Sequence, residues 1–365
     1  MKIFLTPKLF VFLIIWMMYL IIIGTIAQKN MSLFAVQEKY FSSFIIWYWY
    51  IPLPGLRLSM ILMFFNLLGF FISKNLWKIK KAGIILMHLG VMMLLIGGGL
   101  TGVFSKEGSM MIEEGKSTNY IEDYNLSELA VVNISSQSYD VFTIFGHSML
   151  KSNAKLESEN INFTIEIENY MKNSEVIPRE KSDNKNLKGM MKNLIIQEIT
   201  PLKEEHLNIP GVTFYIKNTN TESDGYYGVF LSQSVPQSIR INDQEYIIIL
   251  RKERTYLPFS IELFDFKKIM HPGTNIARSY SSEVYLNDNE ISRTTLIQMN
   301  EPLRYKGYTL YQSSFIEGEI NDISVLAVVK NYGRLFPYIS SCIICLGLLI
   351  HLLTKLPVLF TKKGV

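Results

Sequence analysis

The stretch Lys81-Ala82-Gly83-Ile84-Ile85-Leu86-Met87-His88-Leu89-Gly90, continuing through Gly97-Gly98-Gly99 to Val103, decides how the rest of the chain reads. From Gly83 to Val103 there is no charged residue, and at 1.5 Å per residue these 21 positions reach about 31 Å, the thickness of a bilayer's hydrocarbon core. One imidazole, His88, lies about 7–8 Å in from the start of this helix at that rise. A polar ring at such a depth costs free energy unless it finds a partner, which makes it a functional candidate. Gly83, Gly90 and Gly97 recur every seven residues and lay a smooth stripe along one side, where another helix can approach closely. At 100° per residue His88 stands about 200° around from Gly90, so the packing face and the imidazole face are separate.

Three further runs have the length and apolarity of a membrane span: Leu9–Ala27, Leu56–Ile72 and Leu335–Leu353. Of the chain's 32 acidic residues, Glu38 alone lies outside Phe104–Gly333, while the 36 basic residues divide into 23 inside that stretch and 13 outside it. The pI of about 8.7 therefore describes lysines beside apolar runs and not a nucleic-acid-binding surface. Lys2 and Lys8 precede the first run, Lys74, Lys78, Lys80 and Lys81 fill the loop between the second and third, and Lys355, Lys362 and Lys363 follow the fourth. Lys and Arg stay on the side that is not translocated, so all three clusters share one side when both termini are inside.

The expected architecture is a multi-pass protein of the inner (cytoplasmic) membrane with four transmembrane α-helices, three N-terminal and one C-terminal. A large β-rich extracytoplasmic domain lies between the third and the fourth. Residues 1–103 form the three-span region with an aromatic external loop, residues 104–333 the outer domain, and residues 334–365 the last helix with a short basic tail. The basic start of the first span and Thr25-Ile26-Ala27 would suit a cleaved signal peptide, but its apolar core exceeds the usual length of roughly 7–15 residues, which favours an uncleaved anchor.

The loop after the first span contains Phe44-Ile45-Ile46-Trp47-Tyr48-Trp49-Tyr50-Ile51, ended by Pro52-Leu53-Pro54-Gly55. Trp and Tyr settle at the headgroup level, so this reads first as an interfacial anchor and second as a platform for a flat ligand. In the outer domain, Ile161, Phe163, Ile165 and Ile167 alternate with polar residues, as do Val212, Phe214 and Ile216, and both patterns predict half-buried strands. Tyr246–Leu250 and Ser324–Val329 are β-branched runs suited to strands covered on both faces. Lys172–Lys192, rich in Lys, Asn, Ser and Glu, reads as a solvated excursion.

The sequence contains no phosphate-binding glycine loop, nucleophile elbow or zinc-spaced cluster. Its two cysteines, Cys342 and Cys345, lie in the last span, where they read as small apolar fillers rather than a redox pair. Two of five histidines fall within spans, His88 and His351, and neutral imidazole is a common ligand of haem iron. His351 is four residues from Lys355 and can simply reach interfacial water.

The stretch Lys81–Gly90 with Gly97–Gly99 and Gly108-Ser109-Met110-Met111-Ile112-Glu113-Glu114-Gly115 forms one distinctive run. A second joins Leu257-Pro258-Phe259-Ser260-Ile261-Glu262-Leu263 to Asn300-Glu301-Pro302-Leu303-Arg304-Tyr305-Lys306-Gly307-Tyr308-Thr309-Leu310-Tyr311-Gln312-Ser313-Ser314. With Ile51-Pro52-Leu53-Pro54-Gly55, these runs resemble the ResB/CcsB family of c-type cytochrome biogenesis proteins (System II), and the likeness extends to the whole layout. The resemblance implies a subunit of a holocytochrome c synthase complex, accessory and not itself an enzyme. It would work with a ResC/CcsA-type membrane partner to carry haem b across the membrane for attachment to apocytochrome c. It also implies that His88 is a haem axial ligand paired with a histidine of the partner, while His351 receives no such support.

The partner's Trp-rich segment has no counterpart here, and His147, His206 and His271 are not promoted to that role. Lys78, Lys80 and Lys81 could meet haem propionates beneath His88 or serve topology alone, and Arg57 and Arg334 could meet them at the outer boundary. The competing reading is a membrane-anchored extracytoplasmic ligand-binding or sensor protein.

Overall fold

The computed structural model describes residues 6–72, 78, 81–136, 138–180, 186–274, 277–288 and 290–361, the last five by their backbone only. Lys2, Lys74, Lys80, Lys362 and Lys363 lie outside the described residues. The chain divides into two compact units, Met1–Lys106 with Arg304–Thr309 and Val329–Val365, and Glu107–Leu303 with Leu310–Val328.

Among the described residues the first unit is built on four long helices, α1 (Pro7–Ala27), α2 (Leu56–Ile72), α3 (Ala82–Phe104) and α4 (Phe336–Thr361). Three of them contain segments long and apolar enough to cross a bilayer: Pro7–Ala27, Ala82–Phe104 and Phe336–Leu356. The expected fourth span forms as the apolar helix α2, but its 17 residues cover only about 25 Å, short of a hydrocarbon core of about 30 Å. Its start is set by Pro54-Gly55, where the Ser59 hydroxyl and backbone N–H both donate to the Gly55 carbonyl. Phe12, Ile15 and Met18 of α1 and Leu348, Leu349 and Leu353 of α4 are more than half exposed, a surface suited to lipid.

α4 lies on the glycine stripe of α3. A Cβ added at Gly83 would stand 2.5 Å from the His351 backbone nitrogen, one at Gly90 2.9 Å from the Ser340 carbonyl, and one at Gly97 2.2 Å from Phe336 Cβ. Gly347 of α4 reciprocates, where a Cβ would come within 2.7 Å of the Met87 nitrogen. Only hydrogen at these positions lets the two backbones touch. Polar contacts tie α1 to the segment before α2, and α2 to the residue before α1: Trp16 Nε1 donates to the Pro54 carbonyl at 2.8 Å, and buried Asn66 Nδ2 donates to the Thr6 carbonyl at 3.2 Å.

The aromatic loop is a hairpin of β1 (Ile45–Tyr48) and β2 (Ile51–Pro54) in register Tyr48↔Ile51. Its turn residues Trp49 and Tyr50 are 84% and 92% exposed, and Trp49 adopts a φ of 56°, a conformation uncommon for a bulky side chain.

The second unit is β-rich. The strands from Lys106 to Lys330 are β3 (Lys106–Glu113), β4 (Ser117–Asn133), β5 (Val141–Phe145), β6 (Lys155–Leu156), β7 (Thr164–Met171), β8 (Ser174–Pro178), β9 (Leu194–Glu198), β10 (Gly211–Lys217), β11 (Gly225–Phe230), β12 (Gln237–Ile241), β13 (Gln244–Met270), β14 (Ala277–Asn287), β15 (Ser292–Gln298), β16 (Leu303–Tyr305), β17 (Tyr308–Ile316) and β18 (Ile323–Lys330). One sheet runs β15-β14-β13-β4-β3-β18-β17-β16, with β12 also on β13 and β5 on β4, and a second runs β11-β10-β7-β6. Between them lies the main core, with Leu129, Val131, Ile248 and Leu250 on one side and Ile165, Ile167, Phe214 and Ile216 on the other.

Three local expectations change. The alternating run that begins at Ile161 enters its strand only at Thr164, although Ile161 and Phe163 are buried. Tyr246–Leu250 and Ser324–Val329 bury every second side chain and leave the others half-covered, so they line one core and not two. Within Lys172–Lys192, Ser174–Pro178 pairs with β9, and Met191 packs with Met171 and Ile196 in a small separate core. The brief Val176-Ile177 apolar pair is too short to stand out among polar neighbours.

The Gln312 motif is explained by a buried polar cluster. Ser282 Oγ of β14 donates to Gln312 Oε1 of β17 at 2.6 Å and lies 2.7 Å from Ser324 Oγ of β18, to which Gln312 Nε2 donates at 3.2 Å. β14 is not a ladder neighbour of β17 or β18, so the large sheet coils back on itself at this point. Lys306 and Gly307, at φ of 44° and 82°, form the tight turn between β16 and β17, which gives Gly307 the positive φ its position suggests.

Gly90→Leu is expected to separate α3 from α4 and lower the thermal unfolding midpoint of the detergent-solubilised chain markedly. Gly98→Leu, whose Cβ meets nothing within 4 Å, should unfold close to the wild type. Gln312→Leu should cost about 2 kcal/mol in equilibrium unfolding, because the two buried serine hydroxyls each lose a hydrogen bond and keep only each other. A neutral result there would mean that the cluster is not a structural tie.

Candidate functional site

His88 sits on the second turn of α3, on the side away from the glycine stripe, and two groups hold its ring. Nδ1 is 2.7 Å from the carbonyl oxygen of Ile84, one turn earlier on the same helix. The ring of Phe70, from α2, stacks on the imidazole with centroids 4.5 Å apart and planes 21° from parallel. A carbonyl can only accept, so Nδ1 carries the proton, and in the neutral ring Nε2 keeps its lone pair. Nε2 makes no hydrogen bond among the described residues. The half-buried ring thus has one nitrogen tied to backbone, one face against an aromatic ring, and a bare basic nitrogen, the arrangement in which a backbone bond sets which nitrogen can ligate a metal.

His351 stands elsewhere. Its backbone is pressed against Gly83, its carbonyl accepts from Thr354 Oγ1 at 2.8 Å, and its side chain is half-buried on α4. His88 therefore faces α2, while His351 belongs to the helix packed on the opposite side of α3. Lys81 is the residue just before α3, and seven residues at 1.5 Å place it about 10 Å along the axis from His88. Arg57 Nη2 donates to the Gly102 carbonyl at 3.3 Å, and Arg334 Nη1 makes a long contact with Thr309 Oγ1 at 3.5 Å. Cys342 and Cys345 are free thiols exposed on α4.

The histidines of the β-rich unit are scattered. The His147 N–H donates to Glu253 Oε2 at 3.1 Å, with its ring edge-on to Tyr170, and burial pushes the Tyr170 hydroxyl above its ordinary pKa. His206 lies in the turn Glu205–Leu207, and the His271 carbonyl accepts from Thr274. Among the described residues no group of three or more His, Cys, Asp or Glu side chains is arranged to hold a metal ion. The partner of His88 that the sequence did not reveal is Phe70, because Phe70-Phe71 carries no motif and meets the imidazole only through the packing of α2 on α3.

Residues 239–334, which run from β12 through the Gln312 cluster to the start of α4, match the model of the ResB-like family. This segment is ResB-like. The chain is also 23% identical over 323 residues to protein NrfI of Wolinella succinogenes. That alignment covers 84% of this chain and 30% of NrfI, so the chain spans about 30% of the length of this relative. Both findings support the ResB/CcsB resemblance that the motifs carry. The family segment contains Leu257–Leu263 and Asn300–Ser314, whereas His88 and the glycine stripe lie outside it.

The His88 geometry has a direct readout. Nitrogen-15 NMR of the labelled ring in its neutral form should show the proton on Nδ1 and not on Nε2. The opposite tautomer would mean that the Ile84 carbonyl does not hold the ring.

Proposed function

We propose that this ResB-like chain is a membrane subunit of c-type cytochrome biogenesis that holds haem through His88. The observation that carries this reading is the half-buried His88 ring itself, held by the Ile84 carbonyl and Phe70, and left with a bare Nε2. Haem is cargo here. Its iron takes a neutral imidazole, its flat apolar ring suits a helix-lined setting with aromatic side chains, and its propionates suit Lys78 and Lys81 at the same end of α3. His351 is not part of the proposed ligand set.

The rest of the proposal follows from the layout. α2 is the fourth span, with lysines extending its reach on one side and the aromatic hairpin on the other, a common accommodation for a short helix. Both termini then lie in the cytoplasm, the β-rich unit lies on the extracytoplasmic side of the inner membrane, and a ResC/CcsA-type subunit supplies the opposing iron ligand. The chain orients haem and presents it, and the thioether bonds to apocytochrome c form in the complex with that partner. The similarity to NrfI, a protein more than three times as long as the aligned region, is consistent with this chain supplying one part of a larger assembly.

Membranes containing this chain and its co-expressed partner should show a haem Soret band that His88→Ala removes and added imidazole restores. Phe70→Leu should keep the band but weaken haem retention severalfold. A band that is unchanged in His88→Ala would overturn the assignment.

A further inference from the structure

At the end of α2 and α3 remote from His88, a cavity of about 410 Å³ lies between the two helices, with Phe44, Met60, Phe64, Ile96, Gly98 and Gly102 in its wall. Glycine makes this space. A Cβ on Gly98, Gly99 or Gly102 would meet nothing within 4 Å, whereas Gly97 is pressed against Phe336 of α4. The stripe of Gly83, Gly90 and Gly97 is used for helix packing, but these three glycines are not. Interior glycines weaken a helix, and here no close backbone contact offsets that cost.

Arg57, in the first turn of α2, is the one charged side chain in the cavity wall among the described residues. Its guanidinium donates to the Gly102 carbonyl and stands 5.7 Å from the centre of the Phe44 ring, and neither contact neutralises its charge. Glu38 is the only carboxylate side chain before Glu107, and no ion pair to Arg57 occurs among the described residues. The groove is therefore apolar along its length, cationic at one end, and set against a helix of bilayer length.

A molecule complementary to that groove has an acyl chain and an anionic head, and a bilayer supplies one. We propose that the α2–α3 groove is a binding site for a single anionic glycerophospholipid, its phosphate on Arg57 and one acyl chain lying over Gly98, Gly99 and Gly102. The guanidinium forms paired charge-assisted hydrogen bonds with phosphate oxygens. The chain fills the space that protein side chains leave open between the two helices. This site is separate from His88 and does not depend on the haem reading.

The test is native mass spectrometry of the full chain in non-ionic detergent, titrated with phosphatidylglycerol and with phosphatidylcholine of identical chains. The wild type should retain one phosphatidylglycerol with about tenfold preference, the scale of a charge-assisted hydrogen bond. Arg57→Gln should erase the headgroup preference, and Gly98→Leu, whose Cβ meets nothing within 4 Å, should fill the groove and lower retention of both lipids. Lys106→Gln, at the same end of α3 but outside the groove wall, should retain the preference. Equal retention of the two lipids by the wild type, no effect of Gly98→Leu, or equal loss in Lys106→Gln would each overturn the site. So would a haem band that Gly98→Leu removes and His88→Ala leaves intact, because the groove would then hold porphyrin.

Discussion

The helical unit depends on one contact, the backbone-to-backbone packing of α3 on α4 through Gly83, Gly90, Gly97 and Gly347. Without a hydrophobic driving force between helices in lipid, association rests on close packing, and hydrogen in place of a side chain permits the closest approach. Polar ties extend it at the end of α3: Thr101 Oγ1 donates to Asn331 Oδ1 at 2.8 Å, and Ser105 Oγ donates to the Lys330 carbonyl at 3.3 Å. One face of α3 is committed to α4, and the side turned toward α2 carries His88 at one end and the glycine-walled groove at the other.

At His88 the same helix supplies both the functional group and its restraint. An imidazole among apolar side chains would leave an N–H unsatisfied, and the Ile84 carbonyl removes that cost while setting the tautomer. Phe70 then restricts rotation of the ring. The result is an imidazole held in one orientation with Nε2 left open, the feature on which the proposed haem coordination rests. The proposed lipid groove works by a different logic, with shape from absent side chains and selectivity from one unneutralised guanidinium.

In the β-rich unit, the most distinctive sequence motif has a structural explanation. Gln312 ties β17 and its neighbour β18 to β14, which is distant from both in sheet order, and Lys306-Gly307 makes the turn that leads into its strand. The ResB-like segment thus covers the place where the large sheet coils on itself, and its polar residues serve folding. A buried glutamine with several hydrogen bonds is costly if displaced, which accounts for a motif without a reactive group.

The helices, the glycine stripe and the separation of His88 from it were legible along the chain, since each depends on spacing within a single helix. The same is true of the alternation in Val212–Ile216 and the turn at Gly307. The sequence did not show that α4 occupies the stripe, that Phe70 covers His88, that Ser174–Pro178 becomes a strand, or that Gly98, Gly99 and Gly102 leave a cavity beside Arg57. Each of these is a relation between residues brought together only by packing. Hydropathy and period therefore determined which segments are helices and which side of each is special. Tertiary structure decided what each side meets, because that depends on the shapes of neighbours that no local pattern encodes.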